Sequence, residues 1–160
     1  MPTPSVAHST FDIERSLAAP AARVFAAWSD AALKRSWNAC HDDWRSEEHR
    51  LDFRVDSTEL SRTVEPDGTA HTMKARFLDI VPDQRIVYVY EMTVNGRKIS
   101  ASLATFTIEK VGSKTKLVLT EQGTYFDDPD MAKYAPEGQA KGRLEGTKGL
   151  MDQLVALVQS

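Results

Sequence analysis

Glu121 shares a strand-like alternation with Leu117 and Leu119. On an inward face its carboxylate would be buried with a raised pKa, a candidate general base; on the opposite pleat it would be a solvated acid. His71 falls on the alternation of Met73 and Phe77 and could relay a proton with a carboxylate, or simply sit hydrogen-bonded at a strand end. Arg143 and Thr147 lie four apart, on the helical arc that carries Leu150, Met151 and Leu154. From that arc Arg143 can meet a ligand's acid or carbonyl group and Thr147 can donate a hydroxyl. The alternative has Arg143 reaching out to water and Thr147 bonding back to its own helix. Met73, Phe77, Tyr88, Tyr90, Met92, Leu103 and Met151 supply the large apolar and aromatic surface, as cavity wall or as plain core.

His41, Asp42, Asp43, Glu47, Glu48 and His49 have the atoms to ligate a transition ion, but their spacing matches no metal site and reads as a solvated charged loop. Cys40 beside His41 is no catalytic dyad, because adjacent residues rarely point at one another; it is assigned to packing. The chain has no phosphate-cradling glycine loop, nucleophile elbow or kinase-type signature. Neither metal nor cofactor is expected.

Twenty basic residues against 23 acidic ones give a formal charge of −3, which offers no net positive field for a nucleic-acid backbone. Apolar residues at 41% and charged residues at 27% describe a folding chain rather than a disordered one. The length of 160 residues suits one domain over 9–160 after a loose tail over 1–8. A lone cysteine, no signal-peptide pattern and no long apolar run point to the cytoplasm without membrane insertion.

Phe11, Ile13 and Leu17 predict a strand over about 9–17. Pro20 suits a first helical position, with Val24, Ala27 and Trp28 following at helical spacing. Ser29 or Asp30 can cap a second short helix that places Leu33 and Trp37 on one face. The polar segment 38–50 reads as a loop carrying Trp44 as an anchor, and Leu51, Phe53 and Val55 alternate as a strand. Turns at Glu65–Gly68, Pro82–Gln84, Asn95–Gly96 and Gly112–Ser113 separate strands over 69–80, 85–94, 97–109 and 115–122. After a loop from Asp127 to Pro136, a helix runs from Glu137 to the end, with Leu144, Thr147, Met151, Leu154 and Val158 on one face. Gly138, Gly142 and Gly146 line one edge of that helix, and Gly149 interrupts it again; each costs about 1 kcal/mol relative to alanine. They either let the backbone approach the sheet or leave room for something else. The order predicts an α+β helix-grip, a curved antiparallel sheet wrapped around a long terminal helix.

The stretch Phe11–Arg15 leading to Ala19-Pro20-Ala21-Ala22-Arg23-Val24-Phe25-Ala26-Ala27-Trp28-Ser29-Asp30 resembles the opening strand and helix of the SRPBCC or START-like superfamily, in the branch related to the activator of heat-shock chaperone ATPase. Asp79–Tyr88 is similar to that branch's central hairpin, Thr115–Gly123 to its last strand and Glu145–Leu154 to its terminal helix. The likeness covers nearly all of the chain after the first ten residues, with one departure: Asp56-Ser57 stand where relatives often carry two glycines.

The resemblance implies an apolar cavity between sheet and terminal helix, and it names no ligand. The leading expectation is a binding domain for a small apolar or amphipathic molecule, walled by Met73, Phe77, Tyr88, Tyr90, Met92, Leu103 and Met151 with Arg143 and Thr147 as polar contacts. The competing expectations are a cyclase- or hydrolase-like enzyme using Glu121 or His71, and a co-chaperone-like partner-binding domain. No exposed motif argues for a chaperone partner. A homodimer rests on the resemblance alone.

Overall fold

The computed structural model describes residues 5–38, 43–127 and 135–160. Seven antiparallel strands form one curved sheet: β1 (Val6–Leu17), β2 (Arg45–Leu51), β3 (Thr58–Val64), β4 (Ala70–Val81), β5 (Arg85–Val94), β6 (Arg97–Val111) and β7 (Lys114–Phe126). Their order is β1-β7-β6-β5-β4-β3-β2, so β2 to β7 run as a meander and β1 closes onto β7. Two short helices, α1 (Ala21–Ser29) and α2 (Ala31–Trp37), follow β1, and α3 (Pro136–Gln159) ends the chain. This is the predicted helix-grip.

Local chemistry explains the turns. Asn95 and Gly96 both have positive φ (49° and 83°), the geometry that matches the twist of a two-residue hairpin. Asp30 caps α2 by accepting a hydrogen bond from Leu33 N at 3.0 Å. Register shifts at Phe77/Asp79 and Met92/Thr93 interrupt the central ladders, a device that bends strands.

The core lies between the sheet's inner face and α3. Met151, Leu154 and Val158 of α3 are buried together with Ile13, Leu17, Val24, Phe106, Leu117 and Leu119. Trp28 of α1 is wedged between Phe106 and Trp37, with ring centroids at 4.6 Å and 5.2 Å.

Four expectations need correction. β1 begins at Val6, within the predicted tail, because Val6 pairs with Phe126 at the far end of β7. The predicted loop over 38–50 contains strand β2, an edge strand whose charged side chains hide the alternation. The Leu51, Phe53, Val55 alternation is not a strand: β2 stops at Leu51, Phe53 packs against Phe25 at 5.5 Å, and Val55 is 49% exposed. The bend after Phe53 is taken by Asp56 with φ 68°, held by its N–H bond to Phe77 O at 2.8 Å. On α2, Leu33 is 38% exposed and Lys34, at 3%, takes the inward position beside Trp37.

Candidate functional site

The pleat of β7 sends Leu117, Leu119 and Glu121 to the inner face, which leaves the Glu121 carboxylate 1% exposed. Tyr90 of β5 donates a hydrogen bond to Glu121 Oε1. Arg143 comes down from α3, donating through Nη1 to Tyr90 Oη at 2.9 Å and through Nη2 to Ser100 Oγ at 2.8 Å. Its Nη1 lies 3.8 Å from Glu121 Oε1, and its guanidinium lies 5.4 Å from the centroids of both Tyr90 and Tyr125. Burial pushes the Glu121 carboxyl up to about 7, with the Arg143 charge pulling the other way. Near neutrality this acid is thus poised between its two forms, and the Arg143 charge is only partly balanced.

Thr147 takes the blander of its two options, donating to Arg143 O one turn back at 2.7 Å. Arg143 does not reach out to water. A glycine supports the cluster: a Cβ on Gly123 would stand 2.7 Å from Tyr125 Oη and 3.1 Å from Ser102 Oγ.

Next to this cluster, sheet and α3 enclose a space of about 400 Å³, within the range of small-ligand sites. Met73, Tyr88, Tyr90, Met92, Glu121, Arg143, Thr147 and Met151 line it, as does His71. His71 bonds Glu65 Oε2 at 2.6 Å near the start of β4 and stacks on Trp44 at 4.4 Å. Gly138, Gly142 and Gly146 also border the space, and an added Cβ at any of them meets nothing within 4 Å. The glycine edge therefore leaves room and does not serve close packing. Two wall candidates lie elsewhere. Phe77 is buried in the core against Phe53 at 5.0 Å, outside the lining. Leu103 is on the opposite face, because Ser102 and Ala104 take the inward positions of β6.

A second polar group borders the same space and escaped the sequence reading. Lys34 Nζ donates to Glu59 Oε1 at 2.8 Å, and His49 Nε2 lies 2.8 Å from Glu59 Oε2. All three side chains are at most 4% exposed. Burial pushes the Glu59 carboxyl up, but the Lys34 charge and the hydrogen bonds from His49 and Lys34 outweigh it and hold the group below its ordinary value. Lys34 also lies 4.4 Å from the Trp28 ring centroid and 5.5 Å from that of Trp37. Of the charged run weighed as metal ligands, His41 and Asp42 lie outside the described residues, as does Cys40. Among the described residues Glu47 pairs with Arg62 at 2.7 Å and His49 belongs to Glu59. Also among them, no helix is long and apolar enough to cross a membrane.

Residues 18–159 match the family described as activator of Hsp90 ATPase homolog 1-like protein. A putative uncharacterized protein from Rhizobium leguminosarum is 40% identical, with a TM-score of 0.86 and 99% of each chain covered. The Mll3558 protein from Rhizobium loti is 43% identical over 95% of this chain and 98% of its own, with a TM-score of 0.80. The AHSA1 protein from Silicibacter pomeroyi, 19% identical over 94% of this chain and 98% of its own, shares the fold at a TM-score of 0.74. None of the curated proteins matches the chain. With the helix-grip sheet in place and the family match running across nearly all of it, the chain belongs to the activator of Hsp90 ATPase homolog 1-like family.

Proposed function

We propose that this chain binds a small amphipathic molecule between the sheet and α3, with its acid or carbonyl group at Arg143. Its apolar body would lie against Met73, Tyr88, Met92 and Met151. The observation that carries this is the position of Arg143. Its guanidinium is turned inward onto neutral hydroxyls and a carboxyl whose pKa is about 7, beside a space walled by glycines. A cation in such a setting gains from an anionic or carbonyl oxygen, and the apolar wall gains from covering.

Trp28, Trp37 and Trp44 border the space, so occupancy is readable as quenching of tryptophan fluorescence. Titration with naphthoic acid should quench saturably in the natural chain. Affinity should fall by about tenfold or more in Arg143→Met, the loss of a charge-assisted contact. Native mass spectrometry of protein from its own cells, repeated after denaturation, should show a small molecule that leaves on unfolding. A bare chain that also fails to bind naphthoic acid would overturn the proposal.

A second proposal is favoured by Glu121 itself. A buried carboxyl with a pKa of about 7, beside space for a substrate, suits general acid–base catalysis. It predicts a turnover that Glu121→Gln abolishes; turnover surviving the loss of both Glu121 and His71 would end it.

A further inference from the structure

We propose that Lys34 is a second ligand anchor, so that the molecule held in the cavity is a flat aromatic acid with a carbonyl oxygen at the end remote from its acid group. This deepens the binding function proposed above and rests on it.

Lys34 has three N–H donors, and among the described residues one acceptor, Glu59 Oε1, meets them. Two indole rings flank the ammonium, and it borders the cavity. Some donor capacity is left for an oxygen in that space. Glu59 already balances the Lys34 charge, so a neutral carbonyl fits better than a second carboxylate, which would add a buried charge with no counterion of its own.

The strand register places the two anchors' partners, Glu59 for Lys34 and Tyr90 for Arg143, on strands two apart. Glu59 pairs with Ala75, and Ala75 pairs with Tyr90. Two strand spacings, about 10 Å, therefore separate the Glu59 and Tyr90 backbones. Tyr88 lies within electrostatic reach of both Glu121 and Glu59. Trp28, Trp37 and Tyr88 border the space, with Trp28 and Tyr88 centroids 5.7 Å apart. Ring faces of this kind favour a planar, conjugated body over a flexible chain.

Two acids of matched shape test the inference. One is a naphthoic acid with an acetyl group at the far end of its ring pair; the other has isopropyl in that place. The natural chain should bind the acetyl compound about tenfold more tightly, the effect of one hydrogen bond from a charged donor. In Lys34→Met/Glu59→Gln, which removes both charges together, that preference should disappear. The comparison in the natural chain decides the matter even where the double variant folds poorly. Equal affinities overturn the second anchor and leave the binding function standing. So does failure of both substituted acids while unsubstituted naphthoic acid binds, or a preference that persists in the folded double variant. If all three acids fail, the inference falls together with the function it rests on.

Discussion

Replacing Glu121 by glutamine should make the protein more stable in alkaline solution and leave it nearly unchanged in acid. The native fold raises this carboxyl from 4.5 to about 7, with burial as the main cause. The folded chain thus holds the proton more tightly than the unfolded chain does. Below the unfolded value both states are protonated and the group is neutral in its burial. As pH rises through the folded value, the native state must ionise a buried acid. Stability is therefore lost between about pH 4.5 and pH 7, and the displacement corresponds to about 3 kcal/mol. Glutamine cannot ionise, and its amide oxygen can still accept from Tyr90. Urea unfolding of both chains at about pH 5 and about pH 8.5 isolates the effect, since every other titratable group is common to the two. The charged and titratable groups facing position 121 are Arg143, Tyr90, Tyr88 and Tyr125. Burial pushes the Tyr88 and Tyr125 hydroxyls above their ordinary range, which keeps them out of this window. The variant should gain about 2–3 kcal/mol over the natural chain at the higher pH and differ by less than about 1 kcal/mol at the lower. A difference equal at both pH values, or reversed in sign, would refute the reasoning.

Gly142→Ala should stabilise the fold by about 0.5–1 kcal/mol, because the helix gains propensity and the methyl group meets open space; thermal melting checks this. Gly142→Phe should fold as well but lose naphthoic acid binding, since its ring occupies the volume a ligand needs. Lys34→Met alone leaves Glu59 buried beside His49 without its cation and should cost about 3–5 kcal/mol; adding Glu59→Gln should recover most of that loss in urea titrations. Gly123→Ala should destabilise by about 1–3 kcal/mol, because Tyr125 and Ser102 must shift to admit the methyl group.

The residues that were easiest to place from sequence alternate without interruption. Leu117, Leu119 and Glu121 declared a shared face, and only the direction of that face needed the structure. Residues 45–51 concealed a strand because, at the sheet edge, Arg45, Glu47, Glu48 and Arg50 answer to solvent on both sides. Leu51, Phe53 and Val55 imitated a strand because Phe53 enters the core from a turn, where period-two spacing is coincidental. The Lys34–Glu59–His49 group was invisible for a different reason. Each residue alone reads as surface, and their burial depends on mutual neutralisation across α2, β3 and β2, which no local window contains. One trace was present: Lys34 lies three residues before Trp37, on the face that α2 turns inward. The glycine edge was legible as an anomaly in helix propensity, although its sense, space rather than close approach, came from the position of α3.

The anchoring of α3 is uneven along its length. The α3 side chains that join the main apolar cluster lie at or after Leu144, and Arg15–Asp152 and Arg23–Ser160 tie the same half to β1 and α1 at 2.9 Å and 3.2 Å. Before Leu144, Pro136 and Gln139 are buried, Gln139 donates to Phe126 O at 3.0 Å, and Arg143 is held by its hydrogen bonds to Tyr90 and Ser100 and by its approach to Glu121. The helix thus rests on apolar packing toward its carboxyl end and mainly on polar contacts toward the other, where Gly138 and Gly142 lower its stiffness. Local opening of the first turns is therefore expected to cost less than opening of the last, which hydrogen exchange along α3 would show. A solute reaching Arg143 meets the compliant end, and a seated one adds apolar contact where the helix has least of its own, so that occupancy and rigidity of the first turns increase together.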